Sequence, residues 1–390
     1  MIIERLRLVN FRNYGDLNLD LGKGINLFLG KNGQGKTNLL EALYFLSLAE
    51  SPRVSRQVDL IKWGEEGFVV EAAGQESGLE YTFIAGFEGN RTSYRLNGKE
   101  IPLLKVPGRL PTAFFSPDDL FLLKGPPSGR RNYLDRLLFQ ANPQYRFYHQ
   151  RYGRIITQRN NLLRQWQGGL RRQEELTPWN QELVSIGSRL IKERLLFLKK
   201  LAVFVRKIHR ELSGYAENAE LIYRSTIPLN NAAPALEEIS QAFNAVIVTS
   251  LGQEIARGST LFGPHRDDLS VLLEGRDLRS FGSQGQQRTA VLALKFAEAE
   301  FLKSELEKDP VLLLDDVFSE LDQVRQNQMR RLLPEVGQVL ITSADQTPFP
   351  TEFLQGATVF HIESGRLSQR THPTVPAMAP SLRGGEDARS

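Results

Sequence analysis

The chain has 390 residues, 41% hydrophobic and 24% charged, which suits a globular protein of two or three domains, or one domain with a large insert. It has no cysteine, which excludes disulfides, thiolate metal sites and cysteine nucleophiles, and no apolar run long enough for a membrane-spanning helix. The net charge of +4 is unevenly spread: residues 128–212 carry 18 Lys and Arg against 6 Asp and Glu, a balance of +12, so the remainder sums to −8.

At the N-terminus, Met1-Ile2-Ile3-Glu4-Arg5 lacks the ordered regions of a signal peptide, and a cytoplasmic location is expected. Residues 2–9 alternate apolar and charged and predict a strand, with a second near 17–21. A third apolar run, 25–29, leads into Gly30-Lys31-Asn32-Gly33-Gln34-Gly35-Lys36-Thr37, and a helical pattern follows to about Ala49. G-x-x-x-x-G-K-[ST] between a strand and a helix is the pattern of a phosphate-binding P-loop. Its glycines let successive N–H groups converge on an anion, and the helix adds the positive end of its dipole. Lys36 would reach the β/γ-phosphates of ATP and Thr37 would contribute its hydroxyl to Mg²⁺.

Strands are expected at 68–73, 81–86, 93–96 and 112–115, with Asn97-Gly98 a hairpin turn. From about Gly125 the spacing turns helical, at 132–138, 145–167 and 183–212, with Gly168-Gly169 and Thr177-Pro178 as breaks. Strands return at 219–225 and 269–273, a helix is expected over 286–302, and 339–343 and 359–362 read as the last strands. The predicted organisation is a discontinuous α/β head (1–120 plus 250–370), a basic helical insert (121–249) and a disordered tail (371–390).

Within the insert, Arg146, Arg151, Arg154, Arg159 and Arg164 share one helix. Lys192, Lys199 and Arg206 recur every seven residues on another, with Lys200 and Lys207 beside them. Acids are too scarce to pair these bases, so phosphate backbone is the natural ligand; Lys192, Lys199, Lys200, Arg206, Lys207, Arg151 and Arg154 are the candidate DNA contacts. With no helix-turn-helix or zinc-finger pattern, shape rather than base sequence should be read.

The apolar run 311–314 ends in Asp315-Asp316, as does a buried parallel strand beside a P-loop. Asp315 is the expected Mg²⁺ ligand, with Thr37, and Asp316 the general base for an attacking water. Upstream, Ser283-Gln284-Gly285-Gln286 opens a helix as a second anion-binding start.

Together, the P-loop, the Ser-x-Gly-Gln helix start, the Asp-Asp strand end and Ser319-Glu320-Leu321-Asp322 resemble Walker A, signature, Walker B and D-loop of the ATP-binding-cassette ATPases. Asn10-Phe11-Arg12-Asn13-Tyr14 narrows the resemblance to the SMC-like branch, in which such an element lies against the nucleotide; this implies a nucleotide contact for Arg12. Residues 115–120, Gly129-Arg130-Arg131 and Gly263-Pro264-His265-Arg266-Asp267-Asp268 resemble the RecF family of recombination mediators, over residues 1 to about 370. The resemblance implies an ABC-type, SMC-like head without a long coiled coil. Its implied role lies in DNA replication, recombination and repair of DNA damage within the SOS response, at single-strand/double-strand gaps. RecR, RecO and RecA would be partners, the location nucleoid-associated, and an ATP-dependent homodimer would bring Ser283, Gly285 and Gln286 to the partner's γ-phosphate. The alternative is the ATPase subunit of an ABC-type transporter, against which the basic insert and altered signature argue. Three departures from the cassette pattern point to slow hydrolysis, which the resemblance implies is DNA-stimulated: Asp316 replaces the usual Glu, Thr342-Ser343 stands where the switch His is usual, and no Q-loop glutamine is evident, with Ser116, Asp118 or Asp119 as its candidate substitutes. His265 has two readings, a histidine held by backbone carbonyls in a tight loop or a functional polar group near the nucleotide, of which the first is favoured.

Overall fold

A computed structural model describes residues 1–167, 173–214, 217–231, 233–333 and 337–371. In chain order the elements are β1 (Ile2–Phe11), β2 (Tyr14–Asp20), β3 (Ile25–Leu29), α1 (Lys36–Leu48), β4 (Gly67–Glu76), β5 (Leu79–Glu88), β6 (Arg91–Leu96), β7 (Lys99–Glu100) and β8 (Thr112–Phe115). The middle holds α2 (Pro127–Ala141), α3 (Pro143–Gln167), α4 (Gln173–Leu212), β9 (Ala219–Arg224), α5 (Leu236–Arg257), β10 (Asp268–Leu273), β11 (Arg276–Asp277), α6 (Leu278–Phe281) and α7 (Gln284–Leu306). The chain continues through β12 (Val311–Asp315), α8 (Gln323–Leu332), β13 (Val339–Ser343), α9 (Thr351–Gln355), β14 (Thr358–Glu363) and β15 (Arg366–Thr371).

Two compact units result. The first comprises Met1–Val106, Leu110–Pro117 and the chain from Glu307 onward, and contains two sheets. One is antiparallel, in the order β2-β1-β4-β5-β6-β7. The other runs β15-β14-β3-β13-β12-β8, parallel except for the β14–β15 pair. Every residue of β12 and β13 is buried, the pattern of parallel strands covered on both faces. Helix α1 contacts β4 and β5 of one sheet and β8, β12 and β13 of the other, which explains why it is apolar nearly all round.

The second unit comprises Pro107–Arg109 and Asp118–Leu306. Helix α4 packs on α3, α5 and α7 and beside β9, which pairs with β10, whose other neighbour is β11. Its interior carries charge. Arg159 and Glu254 are both fully buried and paired at 2.5 Å, with Asn180 and Thr260 taking the other guanidinium nitrogens. Arg194 meets Asp135 (2.7 Å), the Tyr145 hydroxyl and the Pro264 carbonyl.

Several expectations change. Residues 250–306 were assigned to the head and belong instead to the second unit, because β10 pairs with β9 and α7 packs on α4, Phe197 meeting Phe301 edge-to-face at 4.4 Å. Thr177-Pro178 does not break the helix: α4 runs through Pro178, close enough to its start that the missing N–H costs one bond in the second turn. The Gly168-Gly169 break lies outside the described residues. Helix α5, absent from the sequence reading, buries Ile239, Phe243 and Ile247 at spacings of four. The strand at 359–362 is not the last: β15 pairs with β14 and is largely exposed, so it carries little apolar signal and takes in Thr371, assigned to the tail. The rest of the tail lies outside the described residues.

Removing one member of the Arg159–Glu254 pair strands a buried charge. Glu254→Ala is therefore expected to lower stability by about 3–5 kcal/mol. Replacing both residues by Met should cost less than either single change, and urea unfolding of the three variants measures this directly.

Candidate nucleotide and nucleic-acid sites

The first site grows from the end of β3. Gly30, Gly33 and Gly35 have φ of 155°, 80° and 109°, and a Cβ on Gly35 would lie 2.5 Å from the Asn13 amide. Glycine is required there by conformation and by space. The loop is braced from both sides. The Asn13 amide donates to the Gln34 carbonyl and the Tyr14 hydroxyl to the Gly35 carbonyl, each at 3.0 Å. From the β14–β15 turn, Gly365 N–H donates to the Gln34 carbonyl and Ser364 N–H to Gln34 Oε1. Lys36 donates to the carbonyls of Gly30 and Lys31, folded back on its own loop. Burial lowers its pKa, and Asp316 and Asp315 oppose that.

Parallel pairing sets Asp315 beside Thr342 and brings β13 against β3. The Thr37 hydroxyl donates to Asp315 Oδ1 at 2.8 Å, as does the Thr342 hydroxyl at 2.7 Å. Thr342 Oγ1 also accepts the Asp316 N–H at 2.9 Å. The sequence marked Thr342 only as standing where a histidine is usual; its double role required the strand register. Asp316 takes a left-handed backbone conformation (φ 49°), its Oδ1 is buried, and that oxygen has no hydrogen-bond partner among the described residues. Burial first, and then Asp315, raises its pKa.

The Arg12 guanidinium, expected at the nucleotide, grips the fully buried carboxylate of Glu41 on α1 through two nitrogens, at 2.9 and 2.8 Å. Its third nitrogen donates to the Asp59 carbonyl at 2.7 Å. The sequence did not mark Glu41; a carboxylate within an otherwise apolar P-loop helix was the available signal.

In the second unit, Ser283 N–H donates to Gln286 Oε1 (2.8 Å) and Gln286 N–H to the Ser283 hydroxyl (3.2 Å). This is a reciprocal capping box at the start of α7, with Ser283 exposed and Gly285 and Gln286 half-buried.

The basic candidates divide. Lys199, Arg206 and Lys207 on α4, and Arg154 on α3, are exposed without an ion-pair partner among the described residues. Lys192 is half-buried and donates to the Pro234 carbonyl at 2.7 Å, which removes it from the outer face. Lys200 pairs with Glu305 at 2.7 Å, and Arg151 with Glu182 at 2.5 Å. Arg159, grouped with the helix-face cations by spacing, is the core residue described above.

The stretch 263–268 is a lock within the second unit. His265 bonds the Tyr152 hydroxyl through Nδ1 (2.9 Å) and the Thr260 carbonyl through Nε2 (3.2 Å), and burial pushes its pKa down to about 4. Asp267 accepts from Tyr223 and Thr226, and Asp268 accepts both forks of Arg130.

Residues 2–361 match the family described as RecF/RecN/SMC N terminal domain. The chain is 40% identical over 372 residues to the DNA replication and repair protein RecF of Heliobacterium modesticaldum, covering 95% of this chain and 99% of that protein. It is 37% identical over 375 residues to RecF of Moorella thermoacetica, covering 96% and 98%. A solved structure of the recombination mediator protein RecF with ATP, of the RecFOR pathway, superposes with a TM-score of 0.87 at 32% identity, covering 95% of this chain and 98% of that one. An SMC head bound to the C-winged helix domain of ScpA shares the fold alone, at TM-score 0.55 and 17% identity over 94% of this chain and 96% of that one. The chain therefore belongs to the RecF family of SMC-like, ABC-type ATPase heads.

Proposed function

We propose that this protein is an ATP-dependent DNA-binding protein of replication and recombinational repair, in which slow ATP hydrolysis resets a DNA-binding dimer. The observation that carries the nucleotide reading is the Thr37–Asp315 hydrogen bond, which joins the end of a P-loop to the carboxylate of a neighbouring parallel strand, with Asp316 next to it. Family membership supports the DNA reading, together with three exposed cations on one stretch of α4 that have no ion-pair partner among the described residues.

The P-loop amides and Lys36 bind the phosphates. Lys36 exchanges its present carbonyl partners for β/γ-phosphate oxygens, so the cost of its burial is already met in the protein. Thr37 and Asp315 offer only oxygen donors, the set that a hard divalent ion requires, so the residues fit Mg²⁺. When bound, Mg²⁺ supplies charge neutralisation between the β- and γ-phosphates. Asp316 holds and deprotonates the attacking water through its unpartnered oxygen, and its raised pKa makes it a stronger base than an ordinary aspartate. Its short side chain and the threonine at 342 favour slow turnover. Arg12 acts indirectly in this scheme, by holding α1 through Glu41.

Assembly is inferred from a P-loop and a second phosphate-binding helix start, at Ser283, carried by the same chain. In a head-to-tail C₂ dimer, Ser283, Gly285 and Gln286 of one chain meet the γ-phosphate held by the other. ADP lacks that phosphate and leaves the chains separate. DNA is held on the α4 face by Lys199, Arg206 and Lys207, with Arg154 on α3 beside them in charge and Arg151 and Lys200 contributing once their exposed ion pairs open, which costs little. Binding to gapped DNA with RecR and RecO, and help in placing RecA, complete the proposal.

Lys36→Ala is expected to abolish ATP binding, and Asp316→Asn to retain binding while losing hydrolysis; labelled-ATP binding beside phosphate release tests both. Because the folded protein raises the Asp316 pKa, its ionised form opposes folding above the usual carboxylate range. Asp316→Asn should therefore also melt at a higher temperature than the parent at neutral pH, and hydrolysis by the parent should fall as pH drops through that raised pKa.

Reversing Lys199, Arg206 and Lys207 to Glu should weaken duplex binding for all sequences alike and reduce the slope of log affinity against log salt by up to about 2.7. ATP binding should survive. Unchanged duplex affinity in this triple variant would shift the DNA site to Arg154 and α3.

Ser283→Arg should leave ATP affinity per chain intact and block both dimerisation and hydrolysis, because the long cation fills the trans-phosphate position. Sedimentation with ATP and with ADP decides it: a parent that stays monomeric with ATP, or a variant that dimerises, removes the trans-site reading.

A further inference from the structure

The capping box that opens α7 has a second layer. Gln286 is held at both ends of its amide: Oε1 accepts the Ser283 N–H at 2.8 Å, and Nε2 donates to Glu217 Oε1 at 2.7 Å. An amide held at both ends has one orientation, whereas one released at an end can swing or flip. Glu217 therefore governs how Gln286, and with it the Ser283 backbone, is presented.

We infer that Glu217 is a positioning residue: its carboxylate orients the Gln286 amide and so fixes the Ser283–Gln286 loop. The inference rests on the reading that this loop meets the γ-phosphate held by a second chain. Glu217 touches no phosphate itself and acts through Gln286.

The test is steady-state ATP hydrolysis by the full chain, with and without duplex DNA, for Glu217→Ala, Glu217→Gln, Gln286→Ala and the Glu217→Ala/Gln286→Ala pair. Glu217→Ala should lower DNA-stimulated kcat about tenfold while leaving KM for ATP unchanged. Glu217→Gln keeps an acceptor oxygen and should retain parental kcat. The double variant should be no slower than Gln286→Ala alone, because both substitutions remove the same contact. Parental kcat in Glu217→Ala, equal losses in the Ala and Gln variants, or additive losses in the pair would each overturn the inference. If Glu217→Ala fails to fold, Gln286→Ala carries the test, and parental kcat there overturns it equally. Ser283→Arg run in parallel separates the two possible failures. Parental hydrolysis in Ser283→Arg means that the trans-phosphate reading has failed, whereas an inactive Ser283→Arg beside a parental Glu217→Ala means that only the role of Glu217 has.

Discussion

The hydrogen bond from Thr37 to Asp315 joins residues 278 positions apart, and the proposed chemistry depends on it. Neither residue sets it. It exists because β13 lies between β3 and β12 in parallel register, so that the P-loop and the carboxylate both emerge at the same edge of one sheet. A one-residue slip of β12 against β13 would turn Asp315 to the opposite face. The register is protected because every residue of β12 and β13 is buried. Hydrophobic packing thus specifies the geometry of a polar site.

Buried charge plays a complementary part. Glu41 has no exposure and sits on the helix that follows the P-loop, where Arg12, Arg53 and Ser51 surround it. In the second unit, Arg159 with Glu254 and Arg194 with Asp135 tie helices to the loop that precedes β10. Such pairs add little net stability over apolar substitutes, but each tolerates few alternative arrangements. Asp135 is held well below the usual carboxylate range by Arg194, His149 and Tyr145 despite its burial. The pairs fix where elements sit, and they help to shape the loop 260–268.

Much of this was legible in the sequence because the signals were local. A P-loop needs glycines at fixed spacing, an apolar strand ends in acids, and a capping box announces a helix start; each was placed correctly as an element of structure. What was not legible depended on distant partners. Arg12 and Arg159 look alike in sequence, as basic residues near aromatic ones, and only the folded chain reveals Glu41 and Glu254 opposite them. Lys192 fits the seven-residue spacing of Lys199 and Arg206, yet a carbonyl from the start of α5 captures it. The boundary at 250 failed for the same reason: a break between elements is local, whereas membership in a compact unit is decided by contacts such as Phe197 with Phe301. β15 escaped notice because an exposed edge strand has no apolar face to betray it.

Asp316 shows how the proposed function can be read from cost. A non-glycine residue in the left-handed region is strained, and Asn or Gly would adopt that conformation more readily. A buried carboxylate oxygen without a partner is costly as well, and the adjacent Asp315 adds repulsion. Folding gains nothing from these features together, since asparagine would remove the repulsion and take up the left-handed backbone more readily. A fold that elsewhere pairs buried carboxylates, as at Glu41, Asp135 and Glu254, leaves this one open at the edge where the P-loop ends. That contrast within one chain is the strongest structural reason to place reactive chemistry at Asp316 and not at the other buried acids.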